Sequence, residues 1–121
     1  MAIAAALATF EILENGVMAH GARIGNYILD RLREMKERHN SIADVRGLGL
    51  MIGIEFVKDR ATLEPWPELR NKIVVECFNR GLVLQGAGET SIRFSPPLII
   101  DRDQADFALR TFEAAIKASL K

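Results

Sequence analysis

Arg93 is the residue of this sequence whose type and placement most directly suggest chemistry. It lies in the stretch SIRFSPPLII, residues 91–100, between Ile92 and Phe94. Successive side chains of a strand point to opposite faces, so Arg93 is predicted on the face opposite to those two apolar residues. A guanidinium is always charged, and its planar fork matches a carboxylate with two hydrogen bonds. The stretch predicts an acid-recognition group, but from spacing alone the commoner case is an arginine on the solvent side of a half-buried sheet.

Other residues that could carry chemistry lack the spacing that their chemistry requires. His20 and His39 are far apart and have no second metal ligand nearby, so solvated or core-satisfied histidines are predicted rather than a metal site. Gly47, Gly49 and Gly53 precede or lie within a predicted strand, whereas a dinucleotide-binding loop opens a helix. None of the four serines lies in a nucleophile elbow. The residues therefore predict no catalytic group and no metal ligand.

Composition narrows the class of protein further. The chain has 121 residues, enough for one domain, and sixteen basic residues balance sixteen acidic ones. No stretch gathers the basic residues into a patch for nucleic acid or an anionic membrane. The single cysteine, Cys77, lies in the apolar stretch IVVECF and is predicted to be a small buried side chain. The absence of a disulfide framework favours a reducing compartment, and a cytoplasmic location is expected.

The first residues, MAIAAALATFEIL, are apolar almost throughout. They lack the positive charge and the cleavage site of a secretory signal, and they are shorter than the roughly 20 residues that span a bilayer. An alanine-rich helix that is apolar on every side is typical of a helix enclosed by other structure. Residues 1–14 are therefore predicted to form a helix that needs a missing neighbour.

The remaining pattern predicts an α+β fold with the element order α-α-β-α-β-β-α. A three-stranded, mostly antiparallel sheet carries helices on one side. Its strands are predicted in LGLMIGIEFV (48–57), LVLQGAG (82–88) and SIRFS (91–95). Helices are predicted from Asn15-Gly16 to His39, from the Pro65 and Pro67 pair to Gly81, and onward from a capping box of Asp101 and Gln104.

Several blocks of the sequence resemble one family in the same order and spacing. They are V-R-G-x-G-L-M-x-G-I-E, R-G-L-x-L, and I-R-F-x-P-P-L before an acidic helix start. These blocks are similar to the C-terminal small domain of class III aminotransferases. That family comprises pyridoxal-phosphate enzymes such as the 4-aminobutyrate, ornithine and acetylornithine aminotransferases. The resemblance assigns residues 15–121 to that small domain and residues 1–14 to the helix that enters it from a large domain.

The resemblance also implies roles that the residues alone do not establish. Arg93 matches the arginine implicated in binding the α-carboxylate of the amino-acid or oxo-acid substrate. The implied reaction is amino transfer from 4-aminobutyrate or a related ω-amino acid to 2-oxoglutarate. The cofactor lysine and the other cofactor-binding groups belong to the large domain, which is expected before Met1. None of the five lysines has a matching context: Lys36, Lys58, Lys72, Lys117 and Lys121.

This chain alone is therefore expected to bind no pyridoxal phosphate and to catalyse no transamination. Its expected partner is a large domain or further copies of itself in a homo-oligomer. The alternative is a non-catalytic αβ module that binds a partner subunit or a regulatory amino acid. A cofactor-lysine segment encoded upstream would favour the enzyme, whereas an unrelated gene there would favour the module.

Overall fold

The computed structural model describes residues 1–121 as four α-helices and one four-stranded antiparallel sheet. The helices are α1 (Ala2–Ile12), α2 (Met18–Arg38), α3 (Pro67–Asn79) and α4 (Arg102–Ser119). The strands are β1 (Ile42–Leu48), β2 (Met51–Phe56), β3 (Gln85–Ala87) and β4 (Ser91–Phe94). Their order across the sheet is β1-β2-β4-β3. The α+β class is thus confirmed.

The predicted number of strands is wrong. Residues 48–57 form the end of β1, a turn and all of β2, so the element order is α-α-β-β-α-β-β-α instead of α-α-β-α-β-β-α. Gly49 has a φ of +56°, which lets the chain turn sharply between the paired residues Leu48 and Met51. The pairing register of β1 also shifts between Ile42 and Asp44. Such an irregularity breaks the two-residue alternation by which a strand is recognised in a sequence.

Helices α2, α3 and α4 all pack against the sheet, and its inward face forms the core with them. The strands contribute inward side chains that are fully or almost fully buried, namely Ile52, Ile54, Phe56, Ile92 and Phe94. Phe112 of α4 packs edge-on against two of them, with ring centroids 5.0 Å from Phe94 and 6.3 Å from Phe56. The opposite face of the sheet is called the open face below, and it carries Arg93.

Both ends of α3 and the start of α4 lie where the sequence signals predict them. Pro67 begins α3, and Gly81 lies just beyond its end with a φ of +83°. At the start of α4, the backbone N–H of Gln104 donates to Asp101 Oδ1 at 2.8 Å. The backbone N–H of Asp101 donates in return to Gln104 Oε1 at 3.1 Å. This confirmed capping box fixes the point where the chain leaving β4 enters α4.

Helix α2 lies unusually close to the β1–β2 turn. A Cβ atom added at Gly25 would be 2.2 Å from the backbone oxygen of Gly49, a distance that no real side chain tolerates. Only glycine at this position allows the helix and the turn to touch. The contact holds the β1–β2 hairpin in place, and this hairpin forms half of the open face.

Helix α1 stands apart from the core. It has no buried residue, and Ile3, Leu7 and Phe10 are all largely exposed. A kink within Leu13–Val17 joins it to α2, because the backbone angles of Asn15 and Gly16 are not helical and Gly16 has a φ of +113°. By length and composition alone, the helical run Ala2–Arg38 contains a segment that could cross a membrane. Core helices of water-soluble proteins meet the same criterion, so the observation is weak support for a membrane span.

Candidate functional site

Arg93 lies where the sequence pattern predicts it, on the open face of β4. Its neighbours Ile92 and Phe94 are buried on the inward face, while Arg93 is exposed. Ser91 of the same strand shares the open face because successive side chains alternate. Ser95, Pro96 and Pro97 then end the strand, and prolines cannot donate to a sheet ladder. Arg93 is thus held close to the end of a central strand.

The strand register places Arg93 in a row of four residues that crosses the open face. Arg46 of β1 pairs with Gly53 of β2, Gly53 pairs with Arg93, and Arg93 pairs with Gln85 of β3. Directly paired residues share a face of the sheet. Gly53 contributes no side chain to this row, and a Cβ added there would meet nothing within 4 Å. The row therefore has a gap between its two arginines.

A shallow hollow of about 270 Å³ lies over this gap. Arg93 and Arg46 line it together with Met51, Gly53 and Ser91. The volume is slightly below the roughly 300–1,000 Å³ typical of sites for drug-sized ligands. A molecule of amino-acid size is thus a suitable occupant.

Arg93 also lines a larger cleft on its other side. This cleft has a volume of about 720 Å³ and runs between the segment that precedes β3 and the N-terminal half of α4. Val83, Pro96 and Phe107 contribute to its mostly apolar lining, and Arg93 is the only charged residue in it. A single fixed charge beside apolar walls is the arrangement expected of a site that orients a small carboxylic acid.

The two arginines of the row differ in their partners. Arg46 Nη1 donates to Asp44 Oδ2 at 2.8 Å and to Glu55 Oε2 at 3.0 Å. The hydrogen bonds that Arg46 donates to these carboxylates raise its pKa, with the bond to Asp44 contributing most. Arg93, in contrast, makes no hydrogen bond and no ion pair. Arg93 is therefore the arginine of the open face that remains free to bind an anion.

One residue that supports the site was not anticipated from the sequence. Arg70 of α3 reaches under the turn between β3 and β4 and donates to the backbone oxygens of Gly88 at 3.3 Å and Glu89 at 2.9 Å. Gly86 leaves the room that this guanidinium occupies. No local pattern reveals this contact, because it joins a helix to a turn almost twenty residues away. It fixes the edge strand that flanks Arg93.

The other side chains considered from the sequence lie away from Arg93. His20 Nε2 is 2.8 Å from the backbone oxygen of Ile100, and the buried His39 donates to Glu113. No three metal-binding side chains are grouped together. Cys77 is fully buried, and burial raises the pKa of its thiol to about 12. None of the five lysines lines the hollow or the cleft beside Arg93.

Comparisons with known proteins give a consistent family. The family model for class III aminotransferases matches residues 1–116, a range that includes α1. The alanine/serine racemase of Pyrococcus horikoshii is 43% identical over 120 residues, which cover 97% of this chain and 25% of the racemase. The isoleucine 2-epimerase of Lentilactobacillus buchneri is 40% identical over 116 residues, covering 95% of this chain and 26% of the epimerase.

The structural comparison agrees with the sequence comparison. A Bacillus anthracis aminotransferase superposes with a TM-score of 0.89 and 30% identity, over 93% of this chain and 27% of that one. The chain thus spans about a quarter of the length of the proteins it matches. Since the family model matches nearly all of its residues, this chain belongs to the class III aminotransferase family.

Proposed function

We propose that this chain is the carboxylate-binding domain of a pyridoxal-phosphate-dependent enzyme that acts on an amino acid. Arg93 receives the α-carboxylate of the amino acid or of the corresponding oxo acid. The observation that carries the proposal is the unpaired guanidinium of Arg93 on the open face. It lies beside the hollow and the cleft, and neither is lined by another unpaired cation. Two parallel N–H···O bonds from this guanidinium would orient the substrate as well as bind it.

Two reaction classes agree with such a site. Amino transfer from 4-aminobutyrate or a related ω-amino acid to 2-oxoglutarate is the first candidate, and there Arg93 serves the acceptor. Racemisation of an α-amino acid is the second, and the names of the Pyrococcus and Lentilactobacillus relatives favour it. Both reactions require an α-carboxylate to be held while the bonds of the neighbouring carbon change. The role of Arg93 is the same in each.

The residues of this chain do not by themselves fit the cofactor. Pyridoxal phosphate, when bound, supplies the electron sink for such reactions and is held through a lysine. No lysine of this chain lies in the hollow or the cleft with Arg93, and the chain covers only about a quarter of its relatives. We therefore assign the cofactor lysine to a large domain outside these residues. The 121-residue chain alone is expected to show no turnover with any amino donor.

The experiment uses an enzyme completed with a large domain, in which this chain replaces the matching quarter of a class III relative. Arg93→Lys keeps the charge but loses the fork, and should lower kcat/KM for substrates with an α-carboxylate about ten- to a hundredfold. An amine that lacks an α-carboxylate should be affected much less. Arg110→Lys is the matched control, since Arg110 lies on α4, lines neither the hollow nor the cleft, and makes no ion pair.

Equal losses for Arg93→Lys and Arg110→Lys would contradict the proposal. Equal losses with substrates that have and lack the α-carboxylate would contradict it as well, because they would indicate a structural role for Arg93. Turnover by the 121-residue chain itself would show that the cofactor lysine lies within these residues.

A further inference from the structure

A carboxylate lies within reach of Arg93 on the open face but does not pair with it. Glu55 is paired with Ser91, while Arg93 is paired with Gly53, so Glu55 and Arg93 are diagonal neighbours on adjacent strands. Diagonal neighbours are about 7–8 Å apart at their Cα atoms, which long side chains can span. Glutamate and arginine at such positions are close enough to form an ion pair, yet these two form none. Their separation here therefore calls for a cause.

The cause is found in the other partners of Glu55. Glu55 Oε2 accepts from Arg46 Nη1 at 3.0 Å, and Glu55 Oε1 accepts a longer hydrogen bond from Thr90 Oγ1 at 3.4 Å. Arg46 is in turn fixed by Asp44 at 2.8 Å. One oxygen of Glu55 is thus bound by Arg46 on the β1 side, and the other by Thr90, which directly precedes β4.

The open-face neighbours of Glu55 and Arg93 along their own strands are small, namely Ser91 opposite Glu55 and Gly53 opposite Arg93. Gly53 follows Arg46 in the row and precedes Arg93, and the space above it is open. Gly53 therefore adds no side chain opposite Arg93 or beside Glu55 on this face. The contacts that oppose a Glu55–Arg93 ion pair are therefore the hydrogen bonds of Glu55 to Arg46 and Thr90.

We propose that Arg46 is a positioning residue that holds Glu55 away from Arg93 and so keeps Arg93 available for a carboxylate ligand. The two arginines compete for one glutamate, and the link to Asp44 gives Arg46 the better geometry. If Arg46 loses its charge, Glu55 pairs with Arg93 and occupies the site as an internal competitor. The functional consequence rests on the proposed carboxylate-binding role of Arg93, whereas the competition between the arginines does not.

The competition can be measured in the 121-residue chain by NMR of its arginine Nε–Hε groups. In Arg46→Gln, the Arg93 Nε–H signal should shift downfield and exchange with water more slowly, because Glu55 now accepts from it. Arg46→Gln combined with Glu55→Gln should return the signal to its original position. Arg46→Lys, which retains a cation beside Glu55, should leave the signal unchanged. An Arg93 signal that is identical in the original chain and in Arg46→Gln would overturn the proposal.

The consequence for binding is tested in the enzyme completed with a large domain. Arg46→Gln should raise KM for a substrate with an α-carboxylate about two- to fivefold, the range expected when an exposed ion pair must be displaced. The value of kcat should stay the same, and adding Glu55→Gln should restore KM. If NMR shows the new ion pair while KM does not change, the role of Arg46 stands and the carboxylate-binding role of Arg93 fails.

Discussion

Glu113 of α4 is expected to contribute to stability in a way that depends on pH. Its Oε1 atom accepts hydrogen bonds from His39 and Arg38, each at 3.2 Å, and lies 3.3 Å from Lys117 Nζ. Burial by itself would raise the pKa of this carboxyl group. The hydrogen bonds from His39, Arg38 and Lys117 outweigh burial and lower the pKa from 4.5 to about 2. Glu113 thus joins the end of α2 to α4 as a carboxylate.

The sign of the effect follows from the direction of the pKa change. A carboxyl group whose pKa is lower in the folded state stabilises that state above the unfolded pKa, and the contribution disappears as the pH falls towards the folded value. The fall from 4.5 to about 2 corresponds to about 3 kcal/mol at most. Arg38 and Lys117 are about half exposed, so water screens them and about 1–2 kcal/mol is the more realistic contribution.

Glu113→Gln should therefore lower the free energy of unfolding at pH 7 by about 1–2 kcal/mol. Less than half of this difference should remain at pH 3, because the unfolded chain by then binds a proton at this carboxyl group while the folded chain keeps it mostly ionised. Urea unfolding at pH 7, 5 and 3 provides the measurement. Glu37→Gln is the control, since Glu37 is exposed and makes no ion pair. A difference that is constant from pH 7 to pH 3 would refute the reasoning, as would an equal loss in Glu37→Gln.

Three further changes test other parts of the structure. Gly25→Ala should lower the free energy of unfolding by about 1–3 kcal/mol, because the added Cβ would clash with the backbone of the β1–β2 turn. In the same urea titration, Gly53→Ala should change the free energy of unfolding by no more than about 0.5 kcal/mol, because a Cβ there meets nothing. The Cys77 thiol should not react with a maleimide in the folded chain, whereas it should react fully in urea. Rapid labelling of the folded chain would show that this thiol is not buried. The isolated chain should self-associate through α1, and Leu7→Ser with Phe10→Ser should reduce this association in light scattering; a monomeric original chain would contradict this prediction.

The features that could be predicted from the sequence are those set by neighbouring residues. The alternation of Ile92, Arg93 and Phe94 is enough to place the arginine on the open face, since a strand has only two faces. The end of α3 and the start of α4 are likewise fixed by residues a few positions apart, such as Asp101 and Gln104. These predictions agree with the structure because no distant contact overrides them.

The features that could not be predicted depend on how distant strands are aligned. The sequence pattern does not predict strand β1, because its register shift breaks the alternation of apolar residues and the charged Asp44 and Arg46 occupy its exposed face. The row that links Arg46 to Arg93 exists only through the pairing of three separate strands. Spacing along the chain carries no information about this alignment. The family resemblance assigned a role to Arg93 but did not reveal that Arg46 and Glu55 lie beside it.

The turn at Gly16 has a geometric consequence for the rest of the chain. Helix α2 has 21 residues, so it forms a rigid arm about 31 Å long at 1.5 Å per residue. A change of 10° in the angle between α1 and α2 would displace the far end of this arm by about 5 Å. That is several times the change in donor–acceptor distance that a hydrogen bond tolerates. The φ of +113° at Gly16 is available almost only to glycine. The direction in which the sheet lies relative to α1 is therefore set by the backbone angles of two residues, Asn15 and Gly16.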